Sequence, residues 1–131
     1  MLDRLTTGLE FQTQALLLRA ERQRMLAGNI ANADTPGYQA HDFDFASALR
    51  NATSAAQQAQ ATGQRASPTE LAQSTARFAL QAQTSLDSNG VDMDRERAAF
   101  ADNSLRYEAT LRFINGSLRT LQDAMKSHNS A

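Results

Sequence analysis

The chain of 131 residues has no cysteine and no tryptophan, and its aromatics amount to two tyrosines and six phenylalanines. Without cysteine there is no disulfide framework and no thiolate metal site, so the chain is indifferent to whether its compartment oxidises or reduces thiols. Charge of one sign is missing too. Thirteen Lys and Arg stand against fourteen Asp and Glu, so no global field draws the chain to nucleic acid or to an anionic membrane. Long hydrophobic runs are absent: Asp3 and Glu10 interrupt the N-terminal leucines, and neither a cleavable signal peptide nor a membrane-inserted helix is expected. Much of the 41% hydrophobic content is alanine, which implies a thin core for a chain the size of one small domain. Full order is expected only against neighbouring subunits.

What the chain does have is helical periodicity at both ends. Leu2, Leu5, Leu9, Leu16, Leu26 and Ile30 fall on alternating three- and four-residue steps, interrupted by Gln12, Arg19 and Gln23. Leu17, Leu18 and Ala20 add a second apolar strip, so this helix, over 1–33, is expected to touch more than one partner. The cleaner stripe is Met93, Phe100, Tyr107, Leu111, Ile114, Leu118, Leu121 and Met125, broken at Arg97 and Ser104. It predicts a helix over 92–126 after an Asn89-Gly90 turn. Asp92 is the expected N-cap, Asp94 and Glu96 lie in the first turns, and Arg112, Arg119 and Lys126 follow toward the C-terminal end, all suiting the helix dipole. Such a helix spans roughly 50 Å. The two terminal helices are expected to pair antiparallel as a coiled-coil-like hairpin, giving an all-α fold.

Between them, Asn29-Ile30-Ala31-Asn32-Ala33-Asp34-Thr35-Pro36-Gly37-Tyr38 packs several stop signals into a few residues. Asp34 and Thr35 favour side-chain to backbone bonds over helix, Pro36 pushes Thr35 toward extended geometry, and Gly37 tolerates a positive φ. A sharp corner is predicted, with Tyr38 either closing it or standing out as an aromatic anchor for a neighbour. Residues 34–45 read as this turn and a short extended piece. Residues 46–91 read as a flexible, loop-rich or partly disordered Ala/Gln-rich middle, able to form helix by propensity and carrying a possible short helix near Thr69 to Leu86. Residues 127–131 read as a tail, with His128 in it.

Catalytic chemistry finds little footing. His41 with Asp42 and Asp44 is the one cluster of metal-like residue types, and a solvated loop explains it more simply. Arg19, Arg22 and Arg24 spread around a helix instead of forming one basic patch. Nothing resembles a nucleophile elbow or a phosphate-binding glycine loop. The expectation is no enzyme activity, no cofactor and no metal.

The stretch from Ala20 to Phe45, containing Asn29, Ala31, Asn32, Thr35, Pro36, Gly37 and Tyr38, resembles the N-terminal signature of the bacterial flagellar rod and hook family, in its proximal rod B type. The runs Asn89 to Glu96 and Ala101 to Ala109 are similar to the other half of that subunit type. This resemblance, over about half of the chain, implies a structural subunit that polymerises helically through its terminal helices with copies of itself and other rod proteins. It further implies a place in the proximal rod, in the periplasmic space, above the junction with the membrane ring and export gate. Export would use the flagellar type III apparatus without signal cleavage. Two other classes compete with it. One is a cytoplasmic helical-hairpin adaptor or secretion chaperone, which has no evident need for the Asn29 to Tyr38 block. The other is a small enzyme using His41, Asp42 and Asp44.

Overall fold

The computed structural model describes residues 2–84 and 91–129. Four helices dominate: α1 (Leu2–Ala31), α2 (Phe45–Ala61), α3 (Pro68–Gln81) and α4 (Met93–Asn129). The extended pairing among the described residues is a two-residue antiparallel ladder of β1 (Asp42–Phe43) and β2 (Gln83–Thr84), which sets Asp42 against Thr84 and Phe43 against Gln83. The fold is all-α.

Each helix after α1 begins where the sequence supplies a cap. Asp44 accepts from the Ser47 amide at 3.4 Å to open α2, and Asp92 accepts from the Arg95 amide at 3.3 Å to open α4. Ser67 and Glu70 form a reciprocal capping box around Pro68 at the start of α3, with the Ser67 amide donating to Glu70 Oε2 at 2.7 Å. α4 runs on through Asn129, three residues past the expected end and through His128. α1 stops at Ala31, two residues before the expected Ala33.

The middle of the chain is not the expected loop-rich segment: most of it is the pair α2 and α3, folded back against α1. Ala48 and Ala52 on α2 and Ala79 on α3 are fully or almost fully buried, together with Leu18 of α1 and Phe43 of β1. Small side chains at i and i+4 let helix backbones approach closely, so near packing replaces the large side chains whose scarcity suggested disorder. Met25, Phe45, Leu49 and Phe78 pack around this cluster, whereas Leu80 faces solvent. Leu86 and the Asn89-Gly90 turn lie outside the described residues.

α4 packs along α1 through polar as well as apolar groups. Asn29 donates to Glu96, Gln23 to Ser104, and Asn103 to both Gln23 Oε1 and the Arg19 carbonyl, so later positions on α4 meet earlier positions on α1. Asn103 is completely buried, and its Oδ1 has no hydrogen-bond partner. The more buried side of α4 steps through Met93, Glu96, Phe100, Asn103, Tyr107, Thr110 and Ile114. Glu96 and Asn103 thus occupy the steps that the sequence stripe assigned to Arg97 and Ser104. The same rotation leaves Leu111, Leu118 and Met125 38%, 44% and 61% exposed.

Candidate functional site

The corner after α1 is organised around Asn29. Its side chain is fully buried and uses every hydrogen-bonding position of the amide. Nδ2 donates to the His41 carbonyl at 2.7 Å and to Glu96 Oε2 at 3.0 Å, while Oδ1 accepts from the His41 amide at 2.8 Å and from the Tyr38 hydroxyl at 3.0 Å. One side chain therefore ties the end of α1 to the loop that leaves it and to the first turn of α4. The periodicity could not reveal this, because Asn29 stands beside the Ile30 stripe position and reads as a polar interruption.

The turn itself is built from local chemistry. Asn32 Nδ2 returns to the Gly28 carbonyl at 2.9 Å, and the Thr35 amide donates to the Asn32 carbonyl at 3.0 Å. The Tyr38 amide then closes on the Thr35 carbonyl at 3.2 Å, with Pro36 in second place and Gly37 at φ 77° in third, the arrangement of a type II turn. Ala31, Thr35, Pro36 and Gly37 are exposed. Tyr38 is half-buried, with its ring edge-on to His41 at 5.9 Å and its hydroxyl turned back to Asn29. In the single chain, its polar tip thus closes the corner.

His41, Asp42 and Asp44 do not converge. The His41 ring meets the Gln83 amide at 2.8 Å, Asp44 caps α2, and Asp42 is gripped by Arg22 through Nε at 3.1 Å and Nη2 at 3.2 Å. Arg19, on the same side of α1, lies over the Phe45 ring at 3.8 Å; partial burial, then the neighbouring Arg106 and Arg22, hold its pKa below the ordinary guanidinium value. Of the three arginines that spread around α1, Arg19 and Arg22 fasten the chain after the corner to the helix, and the third, Arg24, pairs with Glu21 at 2.7 Å.

Of the stripe residues, Leu26 is buried, Leu9, Leu16, Ile30, Met93, Phe100, Tyr107, Ile114 and Leu121 are half-buried, and Leu5 is exposed at 41%. The side chain of Leu2 lies outside the described residues. On the flank of α4 toward α2, Phe113 and Phe11 line a hollow of about 290 Å³ with Thr53, Ala56 and Gln57. A second hollow, where α1, α2 and α3 meet, is lined by alanines of α2 together with polar side chains such as Glu10, Gln60 and Arg77.

The match to a known protein family spans most of α1 and the corner. Residues 9–39 match the model of the flagella basal body rod protein family. The chain is 47% identical to the flagellar basal body rod protein FlgB of Escherichia coli strain K12, over 98% of this chain and 100% of that protein. Identity is 44% with FlgB of Salmonella typhimurium, over 98% of this chain and 100% of the relative. With FlgB of Buchnera aphidicola from Acyrthosiphon pisum it is 35%, over 96% and 99%. Likeness at this level along almost the whole length of both chains means that this chain belongs to the FlgB family of flagellar basal body rod proteins, a family of structural components and not of enzymes.

Proposed function

We propose that this subunit polymerises helically with copies of itself and with other rod proteins to build the proximal rod, the part of the motor's hollow drive shaft nearest the membrane ring and export gate. In this reading α1 and α4 act as an antiparallel, coiled-coil-like hairpin that is the polymerising element. The corner at Asn29, Ala31, Asn32, Thr35, Pro36, Gly37 and Tyr38 fixes how the rest of the chain leaves it. The subunit reaches the periplasmic space through the flagellar type III export apparatus, without signal cleavage.

The observation that carries this reading is the apolar surface left open on α4: Leu111, Leu118 and Met125 recur at seven-residue spacing, 38–61% exposed, on a helix whose other side is already packed. Leaving such a strip in water is unfavourable, and a neighbouring helix buries it. Family membership supports the basal-body location, and among the described residues no helix is long and apolar enough to cross a membrane. The adaptor reading draws no support from the relatives.

Replacing Leu118 with Asp tests the assignment, because a carboxylate in a closed apolar contact costs several kcal/mol, on the order of 3 or more. The expected result is a subunit that is exported and fails to enter the rod. Incorporation at the parental level would sink the seam.

A further inference from the structure

Asn103 stands where an apolar side chain would serve stability better. Its carboxamide is completely buried between α4 and α1; Nδ2 donates to Gln23 Oε1 at 2.8 Å and to the Arg19 carbonyl at 2.9 Å, while Oδ1 has no partner among the described residues. A buried amide oxygen left without a donor costs stability. Replacing both members of such a buried polar pair by apolar groups is often neutral or stabilising. Stability therefore does not account for this residue, and its role is to be sought in what it forbids.

The apolar residues along the α1–α4 contact repeat every seven positions: Leu9 and Leu16 on α1, and Phe100, Tyr107, Ile114 and Leu121 on α4. Sliding α4 along α1 by seven residues, roughly 10 Å, puts another large apolar side chain in the place of each. Apolar packing alone thus separates the two alignments poorly. The polar layers do separate them. The slide that brings Asn103 level with Leu16 takes its Nδ2 from Gln23 and the Arg19 carbonyl, sets a carboxamide against leucine, and takes Glu96 from Asn29. We infer that Asn103, matched to Gln23, is a register-determining residue: it gives up stability to hold α4 in one alignment on α1, with Asn29–Glu96 as a second matched layer. A subunit offers its neighbours a constant surface only if its own helices keep one alignment.

The chain has no cysteine of its own, so paired cysteines read the alignment without ambiguity. Leu16→Cys with Thr110→Cys, one heptad along from Gln23 and Asn103, reports the native register, and Leu9→Cys with Thr110→Cys reports the slide. Each pair is oxidised in dilute full-length protein and the intramolecular cross-link is quantified by mass spectrometry, with circular dichroism as the check on helix. With Asn103 in place, the native pair forms and the slid pair stays at background. Asn103→Leu strands Gln23 and gives Leu16 a leucine after the slide, so the slid cross-link is expected to rise about fivefold or more. Asn103→Thr, a milder change that copies Thr110, raises it less. Adding Gln23→Leu to Asn103→Leu makes the layer apolar on both sides and restores the native pair, with a urea midpoint no lower than the parent's. The native cross-link alone in both single variants overturns the inference, because the rest of the fold then sets the register. So does loss of helix in both without a slid cross-link, or a slid cross-link that Gln23→Leu fails to suppress. A double variant that unfolds at lower urea than the parent overturns it as well, since Asn103 would then serve stability.

Discussion

Asn29 and Glu96, 67 residues apart, share a buried hydrogen bond of 3.0 Å, and the same amide oxygen that serves the His41 backbone also receives the Tyr38 hydroxyl. The end of α1, the corner and the start of α4 therefore form one unit. Asn29→Ala strands a mostly buried carboxylate and two backbone groups of His41, and is expected to cost about 3 kcal/mol. Tyr38→Phe removes one of two bonds to Asn29 Oδ1 and is expected to cost about 1 kcal/mol. Urea unfolding of both variants measures the difference. Equal losses would show that Asn29 is not the hub.

Gly37 sits at φ 77° with open space around the position of a would-be Cβ. The penalty of Gly37→Ala is therefore expected to come from backbone conformation alone, about 1 kcal/mol, with Gly37→Asn milder because Asn tolerates the left-handed region. Chemical denaturation of the two variants checks the order. Alanine as benign as asparagine would contradict the turn.

Leu18, completely buried among α2, α3 and β1, is with Phe43 one of the two large apolar side chains in the alanine-rich cluster. Leu18→Ala is expected to destabilise by about 2–5 kcal/mol, against about 0.5 kcal/mol or less for Leu105→Ala on the 69% exposed side of α4. Thermal unfolding compares them. Similar losses would mean that the helices of the middle segment are not held by this core.

Acid should loosen the starts of α2 and α3. Hydrogen bonds from the Ser47 side chain and backbone hold the Asp44 carboxyl below its ordinary value, and those from the Ser67 backbone and side chain do the same for Glu70. Each folded pKa lies below its unfolded value, so the contribution is complete above the ordinary carboxylate range and is lost as pH falls through the lowered values. Helicity followed during acid titration should show a loss that Asp44→Asn and Glu70→Gln together diminish.

The terminal helices were legible because apolar side chains recur along them at helical spacing, and Asp92, Pro36 and Gly37 announced one cap and one turn. The middle was not, since a core made by Ala48, Ala52 and Ala79 leaves no trace of large residues in the sequence. The face of α4 toward α1 was misread by one position at two steps, because Glu96 and Asn103 are buried by pairing with Asn29, Gln23 and the Arg19 carbonyl. Hydrophobic periodicity is blind to a polar group whose partner lies 67 or 80 residues away. The hub role of Asn29 was hidden for the same reason.

The absence of cysteine makes the central claim directly measurable. A Leu118→Cys variant gives a single thiol at a position 44% exposed in the free subunit. If the α4 strip is the surface buried on assembly, a maleimide should label the thiol readily in purified subunit and leave it largely unlabelled in isolated basal bodies that contain the variant. Equal labelling in both states would contradict burial of the strip in the rod.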